Sequence, residues 1–181
     1  MQVMGEELRK RPYKAIDVAN FLVKYFNKHQ QKITNLMLLK ILYYLQADYL
    51  RKEDDAPLFQ DDIEMWGYGP VVPNVYHSFK ENGVAPIQQT YSYIEEDENG
   101  DWSIVDADQV ELDANDQEEI TNLAEKIWRK YNDRPFDLVE KTHEEPMWAE
   151  QREAIENGQR KIKYNNEDIH NYFSKAENWP W

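Results

Sequence analysis

A chain of 181 residues suits one domain that buries about 70% of the surface its unfolded form would expose. A hydrophobic content of 41% with 13% aromatics excludes disorder, and the lack of cysteine excludes disulfides and thiolate chemistry. The net charge of −14 is concentrated: Glu81 to Glu125 holds 14 acidic residues and no lysine or arginine, leaving 21 acidic residues of the 35 against all 21 basic ones. Such a segment repels phosphate backbones and favours a basic partner, or serves simply as a solvated surface. No apolar run reaches the roughly 20 residues of a membrane span, and Met1 to Arg11 lacks an apolar leader core. The expectation is a soluble, cytoplasmic protein that does not enter a membrane.

In chain order, Tyr13 to His29 places Ile16, Ala19, Leu22, Val23 and Phe26 at helical spacing. Thr34 or Asn35 can cap a second helix to about Leu50, in which Leu36, Leu39, Leu42, Tyr43, Leu45 and Leu50 leave Lys40, Gln46 and Asp48 as the polar interior positions. That helix is expected to be the buried centre, with Lys40 snorkelling to the surface. Ile63 to Trp66 alternates like a short strand. It leads into Trp66-Gly67-Tyr68-Gly69-Pro70-Val71-Val72-Pro73-Asn74-Val75-Tyr76, a stiff corner with large side chains. The proline ring is expected to hold Gly69 extended, and Pro73 presets the first turn of a third helix that Gly83 ends. Tyr91 to Ile94 and Trp102 to Val105 flank Asn99-Gly100 and predict a β-hairpin. Asp113 to Tyr131 returns to helical period with Ile120, Leu123, Ala124, Ile127, Trp128 and Tyr131, acidic at its start and basic at its end. Residues 135–142, 146–157 and 166–173 read as shorter helices. The fold class is mainly α: a single compact helical domain with a small β-hairpin or short antiparallel sheet. Residues 1–14 read as an N-terminal extension, 15–175 as the domain and 176–181 as a tail.

Catalytic motifs are missing. His29, His77, His143 and His170 are scattered without metal-ligand spacing, and no phosphate loop, dinucleotide fingerprint or nucleophile elbow is present. His143-Glu144-Glu145 with Trp148 resembles a site, since a carboxylate and an adjacent aromatic can tune a histidine. The same residues also read as a helix link, with Thr142 or His143 as cap and Glu144 and Glu145 as favourable charges before Pro146. No catalytic residue, metal ligand or cofactor is assigned.

Three blocks carry a family resemblance: Ile33-Thr34-Asn35-Leu36-Met37-Leu38-Leu39-Lys40-Ile41-Leu42-Tyr43-Tyr44-Leu45-Gln46-Ala47, then Pro57-Leu58-Phe59, then Ile63 through the corner to Tyr76. Leu138 to His143 followed by Trp148, and Ile169 to Phe173, continue it over roughly 15–173. The series resembles the Panacea, or SocA-like antitoxin, domain, also described as phage-associated GepA-like. Met65 stands where a small residue is expected, and the acidic hairpin is longer and more charged than the family pattern.

The resemblance implies an antitoxin of a bacterial or prophage toxin–antitoxin pair. Such a protein neutralises a neighbouring toxin by direct contact and is not an enzyme; a variant has it deliver the toxin to a cellular protease. Trp66, Tyr68, Tyr76 and Phe79 are then candidate recognition anchors or their direct support, since Trp and Tyr tend to carry interface energy. Gly69, Pro70, Val71, Val72 and Pro73 belong to the same surface and set its shape. Lys40, His143 and Trp148 are secondary candidates. Competing readings are an acidic decoy or DNA mimic using the 14 carboxylates, a small hydrolase centred on His143, and nucleic-acid binding through Arg9, Lys10, Arg11 and Lys14.

Overall fold

The structure, a computed structural model, describes residues 7–52 and 56–181. In chain order its elements are β1 (Glu7–Leu8), α1 (Ala15–Lys28), α2 (Asn35–Lys52), β2 (Glu64–Trp66), β3 (Gly69–Val71), α3 (Pro73–Phe79), β4 (Tyr93–Glu96), β5 (Trp102–Val105), β6 (Val110–Glu111), α4 (Ala114–Tyr131), α5 (Pro135–Glu144), α6 (Pro146–Ala149), α7 (Arg152–Glu156) and α8 (Asn166–Phe173). The domain is mainly α with small sheets, as the sequence predicts.

α2 is the hub. Apolar on every side, it has no face to give to water, and every residue from Met37 to Leu50 is buried. Helices α1, α3, α4, α5 and α8 surround it, and β3 packs on it as well. Thr34 Oγ1 accepts from the Met37 N–H at 3.3 Å and starts the helix. α1 buries the stripe of Ile16, Ala19, Leu22, Val23 and Phe26, and α4 buries Ile120, Leu123, Ala124, Ile127 and Tyr131. Trp128 stays half-buried and donates through Nε1 to the Lys32 carbonyl at 2.8 Å. Asp113 and Asn165 cap α4 and α8 through their side chains.

Among the described residues there are three two-stranded sheets: β2 with β3 and β4 with β5 antiparallel, and β1 with β6 parallel. The β4–β5 hairpin turns at Asn99-Gly100, with Gly100 at φ +84°. The segment expected as one helix over 146–157 is instead α6 and α7, interrupted at Glu150-Gln151. α6 sinks Trp148 into the core, while α7 has no fully buried residue to hold it in line.

Of the two ends set apart by sequence, residues 1–6 lie outside the described residues, while Tyr13 and the tail from 179 pack against the domain. Tyr13 is buried, exchanges backbone hydrogen bonds with Leu58 and Gln60, and donates its hydroxyl to Asp116. Trp181 meets Tyr44 and Tyr131 edge to face, and the Arg51 guanidinium lies 4.1 Å over the Trp179 ring.

Among the described residues, a minority of the acidic segment's carboxylates are paired within the chain. Glu95 takes both Arg9 and Lys14, at 2.9 and 2.7 Å, and Asp116, Asp108 and Glu119 pair with Arg11, Lys24 and Lys52. The Arg9 hydrogen bond is the main reason the Glu95 carboxyl is held well below the usual carboxylate range. Arg9, Arg11 and Lys14 thus face the protein's own carboxylates, while Lys10 is exposed.

Candidate functional site

The corner is built from two short strands and a helix start. Strand register pairs Trp66 with Gly69 and leaves Gly67-Tyr68 as the connection. Gly69 is not extended, as the following proline predicts, but sits at φ +92°, a region that favours glycine. The close approach of α5 independently requires glycine here: a Cβ on Gly69 would lie 2.4 Å from Thr142 Oγ1 and 3.2 Å from Lys40 Cε. Pro70 occupies the middle of β3, where its missing N–H leaves no donor unpaired. Pro73 opens α3 at its first helical position, as predicted. The 160s segment supports the outer edge of β2: Met65 N–H donates to the Ile162 carbonyl at 2.7 Å, and Tyr164 N–H to Ile63 at 2.8 Å.

Lys40 does not snorkel. Its side chain lies wholly in the interior: it is 0% exposed and donates through Nζ to the Pro70 carbonyl at 3.0 Å. Desolvation lowers its pKa to about 7. The amine ties the centre of α2 to the corner.

α5 and α6 close the opposite side. Trp148 is buried and donates through Nε1 to the Trp66 carbonyl at 2.9 Å. The His143 ring stacks on it, with centroids 3.6 Å apart and planes at 11°. Burial, then the Arg152 charge, push the His143 pKa down, and its Nε2 is buried without a hydrogen-bond partner. The carboxylate set beside it in sequence goes elsewhere. Glu145 is buried, not a solvated helix-start charge, and accepts from the Tyr43 and Tyr44 hydroxyls at 2.7 Å each. Desolvation raises its pKa to about 7. Thr142, expected as a cap, donates instead to the Val139 carbonyl within α5. The His143 and Glu145 side chains are therefore parts of separate contacts and do not form an acid–base pair.

Of the sequence-predicted anchors, Phe79 is buried, as are Gly69, Pro70, Val71 and Val72, so these support the surface from below. Trp66 and Tyr76 are half-buried and meet edge to face at 4.9 Å, with His77 against both rings. Tyr68 stands out of the turn, 63% exposed, and packs edge to face at 5.7 Å with Phe136, itself 57% exposed. Sequence reading missed Phe136. The signal is its place on α5, off the inward stripe of Leu138, Val139 and Thr142. The two exposed rings stand beside a frame fixed by Gly69, Lys40 and Trp148. Such a frame can hold a shape against a macromolecule. Among the described residues no cluster of three or more His, Asp or Glu side chains could hold a metal ion, and no helix is long and apolar enough to cross a membrane.

The chain is similar to "Antitoxin SocA" of Caulobacter vibrioides (strain NA1000 / CB15N), with 38% identity over 66 residues, 36% of this chain and 35% of that protein. The similarity thus spans about a third of the relative's length. No solved structure matches the chain. The model of the family described as antitoxin SocA-like, Panacea domain, matches residues 38–149, from the hub helix through Trp148, and the chain belongs to that family.

Proposed function

We propose that this protein is an antitoxin that neutralises a toxin by direct protein contact, acting as a binding module and not as an enzyme, with the aromatic corner as the contact surface. The observation that carries the reading is the exposed Tyr68–Phe136 pair on a turn tied to the core. Large aromatic surfaces near a rigid backbone lose little entropy on docking and tend to dominate binding energy. Membership of an antitoxin family and the similarity to a protein named Antitoxin SocA support the partner class. The partner is a cognate toxin, encoded by the adjacent gene.

Co-expression with the adjacent gene's product tests this. The wild type should restore growth, whereas Tyr68→Ser with Phe136→Ser should lose most protection and co-purification without lowering the unfolding midpoint. A harmless neighbour, or full protection by the double variant, would overturn the reading. Toxin half-life with and without this protein separates sequestration from delivery to a protease: a shortened half-life marks delivery.

A further inference from the structure

The β4–β5 hairpin has two unlike faces. Its inner face is fastened to α1. Asn20 exchanges two hydrogen bonds with the Tyr91 backbone, at 2.8 and 2.9 Å, and the Tyr93 hydroxyl donates to the buried Asp17 at 2.7 Å. Glu95 is held by Arg9 and Lys14, and Val105 is buried. On the outer face the register sets Ile94 across from Ile104 and Glu96 across from Trp102. Ile94, Trp102 and Ile104 are 65%, 67% and 69% exposed. Single apolar side chains on a surface are ordinary, but three adjacent on one sheet face mark an interaction site. The turn above them carries Asp97, Glu98 and Asp101, all exposed. Among the described residues no lysine or arginine pairs with these three or with Glu96, in contrast to Glu95 on the inner face. An open groove of about 600 Å³ runs beside Ile94, but its charges are balanced, with Lys14 in the lining and Asp62 paired to Lys163 at 2.8 Å, so the field at this face comes from the hairpin's own carboxylates.

Charge selects the occupant. A second copy of this chain would press two acidic turns together, and nucleic acid or an anionic membrane would be repelled. A cationic partner surface gains both apolar burial and complementary charge. We propose that the outer face of this hairpin is a second docking surface, distinct from the aromatic corner, for a protein segment in which lysine or arginine flanks apolar side chains. The inner-face anchors preorganise it, so docking does not have to order the hairpin. The inference does not depend on that partner being a toxin.

The test uses the full chain and three synthetic probes: a peptide alternating lysine with leucine, the same peptide with serine for leucine, and the same with glutamate for lysine. Binding is measured by titration, and its location by backbone amide shifts in NMR. The lysine–leucine peptide should bind, shift residues 93–105, and weaken as salt is raised. Ile94→Ser with Ile104→Ser should weaken it roughly tenfold or more, the scale of losing two apolar contacts. Because both side chains are exposed, the unfolding midpoint should hold; Glu96→Lys with Glu98→Lys gives a second variant with the same expected loss. Tyr68→Ser with Phe136→Ser should leave the affinity unchanged, which separates this surface from the corner. Equal binding of the lysine–serine or glutamate–leucine peptide, shifts centred elsewhere, or an unaffected Ile94/Ile104 variant would each overturn the proposal.

Discussion

Lys40 and Pro70, thirty positions apart in the chain, meet in the interior where the lysine Nζ donates to the proline carbonyl at 3.0 Å. The amine sheds its proton near pH 7 in the native protein but near 10.5 when unfolded. Between these values unfolding takes up a proton, so stability should rise with pH from about 7 to 10.5, by on the order of 4 kcal/mol. Lys40→Met, similar in size and without charge, should remove that rise. Urea titrations of both proteins at pH 7 and 9.5 check it; an equal rise in the variant contradicts the assignment.

Glu145 gives the opposite slope. Its carboxyl keeps its proton to about pH 7 in the native state and loses it near 4.5 when unfolded. Unfolding therefore releases a proton between those values, and stability should fall as pH rises from about 4.5 to 7. Glu145→Gln should flatten this limb while leaving the alkaline one. Tyr43→Phe in the wild-type background removes a donor that favours the charged form, so it should raise the Glu145 pKa further and cost about 1–3 kcal/mol at neutral pH.

Gly69→Ala should be among the most damaging small substitutions. It meets both a φ of +92° and a Cβ position 2.4 Å from Thr142 Oγ1. A loss of about 3 kcal/mol is expected from the strain and the overpacking together. In a Thr142→Ala background the loss should shrink by about 1 kcal/mol or more, because the hydroxyl is gone while the backbone strain stays. A double-mutant cycle in urea measures the coupling, and a cycle that closes to zero argues against the contact.

Asn20→Ala should release the base of the acidic hairpin by deleting its two hydrogen bonds to the Tyr91 backbone. The expected cost is about 1–2 kcal/mol. Hydrogen exchange should speed up over residues 91–105 and stay unchanged in α2. Uniform acceleration across the chain would mean that the hairpin is not a separately anchored unit.

How legible these features were depends on how local their causes are. The stripes of α1 and α4, the cap at Thr34 and the Asn99-Gly100 turn rest on neighbours within a few positions, and local sequence pattern exposes them. The burial of α2 could also be read, because no side of it is polar. The fate of Lys40 could not: whether a lysine reaches water depends on helices drawn from both ends of the chain. Glu145 next to Pro146 looks like an ordinary helix-start charge, and the hydroxyls that capture it lie 102 and 101 positions away. The proline rule misread Gly69, because a residue without Cβ escapes much of the clash that makes the preceding position extended, and the contact with Thr142 that demands glycine comes from 73 positions away. The parallel β1–β6 pair, two residues per strand, leaves no periodic trace at all.

The hydrogen bond from Trp148 to the Trp66 carbonyl spans 82 positions of the chain. During synthesis, Trp66, Tyr68 and Tyr76 emerge well before the residue that closes the frame beneath them. At ribosomal speeds of roughly 5–20 residues per second the interval lasts several seconds. The finished corner is thus a property of the nearly whole chain, and a nascent or truncated product ending before α6 carries its aromatics without the closed shape they serve.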